Sequence, residues 1–148
     1  MAMKEYEHVE ILLAEDNPYD AELAIRGLEK HNLANNIVWV KNGEQALDYV
    51  FRRGEFEGRT SESPRLVLLD LKMPKVDGIE VTRIIKSDER TRHIPVVIMT
   101  SSKEEKDIAD SYRCGANSYI VKPLDFASLV EVAAQVGFYW LAINRSRS

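Results

Sequence analysis

A single cysteine, Cys114, in 148 residues leaves no partner for an internal disulfide and too little thiolate for a zinc site. The chain is therefore expected to rely on an apolar core in a reducing compartment, read here as the cytoplasm. Its three histidines, His8, His31 and His93, are too scattered to gather around a metal. Seven glycines and five prolines are too few for a collagen-like or disordered chain. Apolar runs such as Val96 to Met99 end after a few residues, far short of the roughly 20 that a membrane-spanning helix needs. The opening MAMKEYEHVE carries acidic residues where an export signal would be apolar. Neither sign of charge dominates: 20 lysines and arginines face 24 acidic residues, for a net charge of −4, with no basic cluster. Neither nucleic acid nor a membrane is expected as a partner.

What is present is 45% apolar, enough for one well-cored domain over residues 1–148. Five short runs rich in Val, Ile and Leu read as buried strands: Val9 to Ala14, Ile37 to Val40, Leu66 to Leu69, Val96 to Met99 and Tyr119 to Val121. Between them lie segments with helical spacing, namely Ala21, Ala24, Ile25 and Leu28, then Ala46, Leu47, Val50 and Phe51, then Val81, Ile84 and Ile85, then Ile108, Ala109 and Tyr112. Helix starts are marked by Asn17 before Pro18, Asn42 with Gln45, Asp77 with Glu80, Ser102 with Glu105, and Asp125. Continuously apolar strands alternating with helices imply an α/β fold, a doubly wound parallel sheet covered on both faces. The polar stretch Gly54 to Pro64 reads as a surface loop.

In such a sheet the ligand site lies beyond the carboxyl ends of the strands. The residues there are Glu15 and Asp16 after the first run, Asp70 after the third, Thr100 after the fourth, and Lys122 with Pro123 after the fifth. If the first and third strands are neighbours, about 4.8 Å apart, three carboxylates crowd one crevice and need a positive counterpart. Hard oxygen ligands without His or Cys favour Mg²⁺, and Lys122 offers a second positive charge. Alone, each residue reads as a cap, a turn residue or a solvated lysine. Together they suit phosphoryl chemistry, in which a carboxylate attacks while cations and hydroxyls neutralise the phosphoryl oxygens. Asp70 is the best acceptor, because the LKMPKVDG that follows it turns sharply and can aim the Lys72 carbonyl at the metal.

Glu15 and Asp16, the segment Asp70 to Gly78, Thr100, and Tyr119 three residues before Lys122-Pro123 together resemble the signature of response-regulator receiver domains of two-component signalling. The resemblance spans residues 9–137, with a final helix running to about residue 143. It implies a flavodoxin-like fold with five helices and strand order 2-1-3-4-5. It implies that Asp70 accepts a phosphoryl group from a histidine kinase. Mg²⁺ would be held by Glu15, Asp16, Asp70 and the Lys72 carbonyl, with Lys122 and Thr100 engaging the phosphoryl group. Tyr119 would act with Thr100 as a switch, turning inward behind it and altering the surface of the fourth helix, fifth strand and fifth helix. It further implies a cis Lys122-Pro123 bond. Glu15 stands where many receivers carry Asp, and Lys72 places a long cation by the phosphoryl entry path, where it would pair with or shield the phosphoryl group.

After Asp125 only one long helix is expected, so the chain would act by contact. Its stripe Phe126, Leu129, Val130, Ala133, Gly137, Trp140 and Leu141 suits the core. A second stripe, Val132, Val136, Tyr139 and Ile143, suits either the fourth helix or a partner, including a homodimer. The polar loop and the FYWLAIN tail also resemble single-domain regulators paired with bacterial phytochrome histidine kinases. Rival readings lack residues: a flavodoxin needs a phosphate-cradling first loop where EDNPYD stands, a haloacid-type phosphatase needs a carboxylate at Lys72, and no P-loop occurs. The remaining rival is a receiver-like scaffold that binds partners without phosphorylation.

Overall fold

The computed structural model describes residues 10–30, 36–60, 63–122, 125, 127 and 128. The five apolar runs form strands β1 (Glu10–Ala14), β2 (Asn36–Val40), β3 (Leu66–Asp70), β4 (Val96–Thr100) and β5 (Ser118–Val121). They pair in parallel in the order β2-β1-β3-β4-β5. Helices α1 (Pro18–Lys30), α2 (Gly43–Phe51), α3 (Gly78–Ser87) and α4 (Glu105–Arg113) join them. The described residues therefore give the expected sheet and four of the expected helices. Of the fifth, only residues 127 and 128 are described as helical.

Alternation along each strand explains why the runs are continuously apolar. Ile11 and Leu13 of β1 face one side with Leu66, Leu68, Val97 and Met99, where α1 adds Ala21, Ala24 and Leu28. Leu12 and Ala14 face the other side with Val67, Leu69 and Val96, under Ala46, Leu47 and Val50 of α2 and Val81 and Ile85 of α3. Every residue of β3 and β4 is buried, so each Leu or Ile there contributes about 2 kcal/mol of burial. The register sets the site: Ala14 lies opposite Leu69, and Asp70 opposite Met99, so the chain emerges from β1, β3 and β4 at one level.

Most start signals act as read. Asn17 Oδ1 accepts from the backbone N–H groups of Tyr19 and Asp20, Asn42 Oδ1 from that of Gln45, and Asp77 Oδ1 from that of Glu80. Ser102 departs from expectation. The residue before α4 is Glu104, which makes no side-chain cap, while Ser102 Oγ donates to Asp107 Oδ2 and accepts from the Glu104 N–H. The face of α4 also differs: Ser111 is the buried residue, its hydroxyl satisfied by the Asp107 carbonyl at 2.8 Å, while Ala109 is exposed and Tyr112 is 49% exposed. A hydroxyl that bonds back into its own helix can be buried cheaply, which apolar spacing does not register. The polar loop after α2 opens with a 3-10 turn, Gly54–Phe56. Phe56 meets the Tyr49 ring edge-on at 5.0 Å, and the Arg59 guanidinium lies 4.1 Å over the same ring.

Candidate functional site

The site begins with the segment from Asp70 to Gly78. The Gly78 N–H donates to the Leu71 carbonyl at 2.8 Å, folding the chain back at once. A Cβ on Gly78 would stand 2.5 Å from the Asp70 carbonyl oxygen, so only glycine allows α3 to start against the end of β3. The Val76 N–H donates to the Pro74 carbonyl across Lys75, whose φ of 72° is left-handed. On the outer side, a Cβ on Gly43 would fall 1.8 Å from the Val76 oxygen, so α2 abuts this turn just as closely.

Around this turn the strand ends gather the expected side chains. Carboxylate oxygens of Glu15, Asp16 and Asp70 lie within 4.8 Å of one another. Glu15 and Asp70 are buried, whereas Asp16 is exposed at the rim. The Asn17 N–H donates to Glu15 Oε2, and the Trp39 indole N–H donates to the Glu15 carbonyl at 2.8 Å, fixing the residue from both ends. Lys122 follows β5, its N–H held by the Thr100 carbonyl at 2.8 Å. Its Nζ lies 2.7 Å from Glu15 Oε1, 3.0 Å from Asp20 Oδ2 and 3.4 Å from Asp70 Oδ1.

Burial, followed by repulsion from Glu15, pushes the Asp70 carboxyl up to about 7, against the pull of Lys122. Burial alone would lower Lys122, yet the carboxylates of Glu15, Asp20 and Asp70 outweigh it and hold the ammonium above the ordinary lysine range. The site is thus over-supplied with negative charge. Its donors are oxygens only, and buried Glu15 Oε1 makes a charge contact with the ammonium but no aligned hydrogen bond. That set fits a hard divalent cation.

Thr100 is buried at the end of β4, and its Oγ1 accepts from the Ser102 N–H at 3.1 Å. Tyr119 is half-buried against Leu71, Ile98 and Ala116, and its hydroxyl donates to the Ser102 carbonyl at 2.6 Å. Thr100 and Tyr119 therefore meet through one residue, Ser102. Lys72, two residues after Asp70, is exposed. The Lys122-Pro123 bond and both stripes of the final helix lie outside the described residues. Sequence reading missed Asp20, Trp39 and the linking role of Ser102. Only Asp20 carried a signal, since the Asn17 cap sets it in the first turn of α1, beside the strand ends.

The model of the response regulator receiver domain matches residues 11–134. The chain belongs to this family. Among curated relatives it is 46% identical over 136 residues to the probable methanogenesis regulatory protein FilR2 of Methanothrix harundinacea (strain 6Ac), covering 92% of this chain and 86% of that one. Among solved structures it resembles the bacteriophytochrome response regulator AtBRR, with 46% identity and a TM-score of 0.82, covering 90% and 96% of the two chains. It also resembles the Mn²⁺-bound form of response regulator Rcp1, with 33% identity and a TM-score of 0.75, covering 90% and 94%. As a receiver domain the chain is a phosphoacceptor signalling module of two-component systems rather than an enzyme. Among its described residues no helix is long and apolar enough to cross a membrane.

Proposed function

We propose that Asp70 accepts a phosphoryl group from the phosphohistidine of a histidine kinase, and that the chain passes the signal on by contact. The observation that carries this reading is the Lys122 ammonium lodged 3.4 Å from Asp70 and 2.7 Å from Glu15, within a carboxylate triad that its single charge does not neutralise. Glu15, Asp16, Asp70 and the Lys72 carbonyl would hold Mg²⁺, which when bound supplies the charge that keeps Asp70 ionised and offsets the incoming phosphoryl oxygens. An Asp70 oxygen forms the bond to phosphorus as the P–N bond of the donor breaks, its electron pair leaving with the imidazole nitrogen. Lys122 then turns an N–H from the carboxylate to a phosphoryl oxygen, and the Thr100 hydroxyl donates to another. If Thr100 moves inward, its bond to Ser102 changes, and the Ser102 carbonyl that Tyr119 holds shifts with it. This couples the site to α4 and β5, and so to the surface where a partner would read the signal.

The likeness to AtBRR makes a bacterial phytochrome kinase the candidate donor, and the apolar stripe Val132, Val136, Tyr139 and Ile143 makes a homodimer the candidate assembly. Intact mass after incubation with acetyl phosphate and Mg²⁺ tests the central claim. The expected result is one phosphoryl adduct in the wild-type chain, dependent on Mg²⁺ and missing in Asp70→Asn. Size-exclusion of both states then reads whether assembly follows phosphorylation. No adduct with any donor overturns the reading in favour of a scaffold that binds partners constitutively.

A further inference from the structure

Asp20 has no part in the chemistry proposed above, yet it touches the residue on which that chemistry depends. It lies in the first turn of α1, and its Oδ2 accepts a 3.0 Å hydrogen bond from Lys122 across 102 residues of sequence. An ammonium carries three N–H donors, and Lys122 meets three carboxylates, those of Glu15, Asp20 and Asp70. Glu15 and Asp70 belong to the triad; Asp20 does not. A divalent cation on the triad would draw on two of the three carboxylates that hold the ammonium and would repel it as well.

We propose that Asp20 is a positioning residue that receives the Lys122 ammonium when a divalent cation takes over Glu15 and Asp70. The ammonium then stays beside the acceptor, ready for a phosphoryl oxygen, instead of competing with the cation or swinging into solvent. Asp20 suits this role because its place is fixed: the Asn17 side chain caps its backbone N–H, and α1 is anchored by buried Ala21, Ala24 and Leu28. Without Asp20, the ammonium has only the carboxylates the cation needs, so cation binding must displace it at a cost. This inference rests on the metal reading given above.

The test is a double-mutant cycle on the full chain, read by the indole ¹H–¹⁵N signal of Trp39, whose N–H is bonded to the Glu15 carbonyl. Mg²⁺ is titrated into the wild type, Asp20→Asn, Lys122→Met and the double variant. Asp20→Asn is expected to raise the Mg²⁺ Kd about ten-fold when Lys122 is present but at most about two-fold in Lys122→Met, where only the loss of one nearby negative charge remains. Equal factors in the two backgrounds overturn the proposal. Asn keeps the shape of Asp, and an unchanged spectrum in EDTA checks the fold; Asp20→Ser replaces it if Asn does not fold. A wild-type Trp39 signal that ignores Mg²⁺ would refute the metal reading itself, whereas wild-type binding with equal factors refutes only the role of Asp20.

Discussion

Replacing Asp70 by Asn should make the metal-free chain more stable, although it removes the proposed acceptor. The ordinary Asp value is 3.8, and burial with repulsion from Glu15 pushes Asp70 to about 7. Each unit corresponds to about 1.36 kcal/mol, so keeping this carboxylate ionised above pH 7 costs at most about 4 kcal/mol. That figure is already net of the attraction of Lys122 at 3.4 Å, but the Asn amide must itself be buried, which lowers the expected gain to about 1–3 kcal/mol. For a domain of this size that is a rise in Tm of about 3 to 10 °C. The pH window follows from the direction of the shift. Between about pH 4 and pH 7 the native wild type binds more protons than the unfolded chain, so its stability grows as pH falls through 7. The advantage of Asn is therefore full at pH 8, shrinks below pH 7 and is gone near pH 4. Mg²⁺ inverts the order, because a ligand of the native state stabilises the chain that binds it more tightly. Urea unfolding of both chains in EDTA, at pH 8 and pH 5, and then with Mg²⁺, measures each term. An Asn variant less stable than wild type at pH 8, or a difference independent of pH, would refute the charge accounting.

Three further outcomes follow from the same geometry. Gly78→Ala forces a Cβ to within 2.5 Å of the Asp70 carbonyl oxygen and should cost about 1–3 kcal/mol in urea unfolding, with Mg²⁺ binding weakened because the end of β3 that carries Asp70 is displaced. Asp77→Ala removes the cap on the Glu80 N–H and should cost about 1 kcal/mol; an unchanged unfolding midpoint would show that α3 is held by packing alone. Lys72 is exposed and two residues from the proposed acceptor, so if it pairs with the phosphoryl group, Lys72→Ala should shorten the lifetime of the phosphorylated chain by about two- to five-fold in a Phos-tag time course, and an unaltered decay would dismiss that pairing.

The sheet was legible because its cause is local: a strand buried on both faces must be apolar at every position, as in Leu66 to Leu69 and Val96 to Met99. The helix starts at Asn17, Asn42 and Asp77 were legible for the same reason, since a cap bonds to N–H groups two or three residues away. Glu15, Asp16, Asp70, Thr100 and Lys122 could be picked out because strand ends of a parallel sheet share one edge. Ser102 misled, because its hydroxyl found Asp107 and its backbone found Thr100 and Tyr119, partners that no spacing rule weighs. Residue pattern alone is enough for the alternation of strands and helices and for the kinds of group at the strand ends. How those groups share charge depends on the assembled sheet. The pairing of β1 beside β3, β3 beside β4 and β4 beside β5 brings Lys122 to Glu15, Asp20 and Asp70, and that of β2 beside β1 brings Trp39 to Glu15. Charge and hydrogen-bond energies depend on distances of a few ångströms between residues as much as 102 positions apart, and those distances exist only once the sheet has formed.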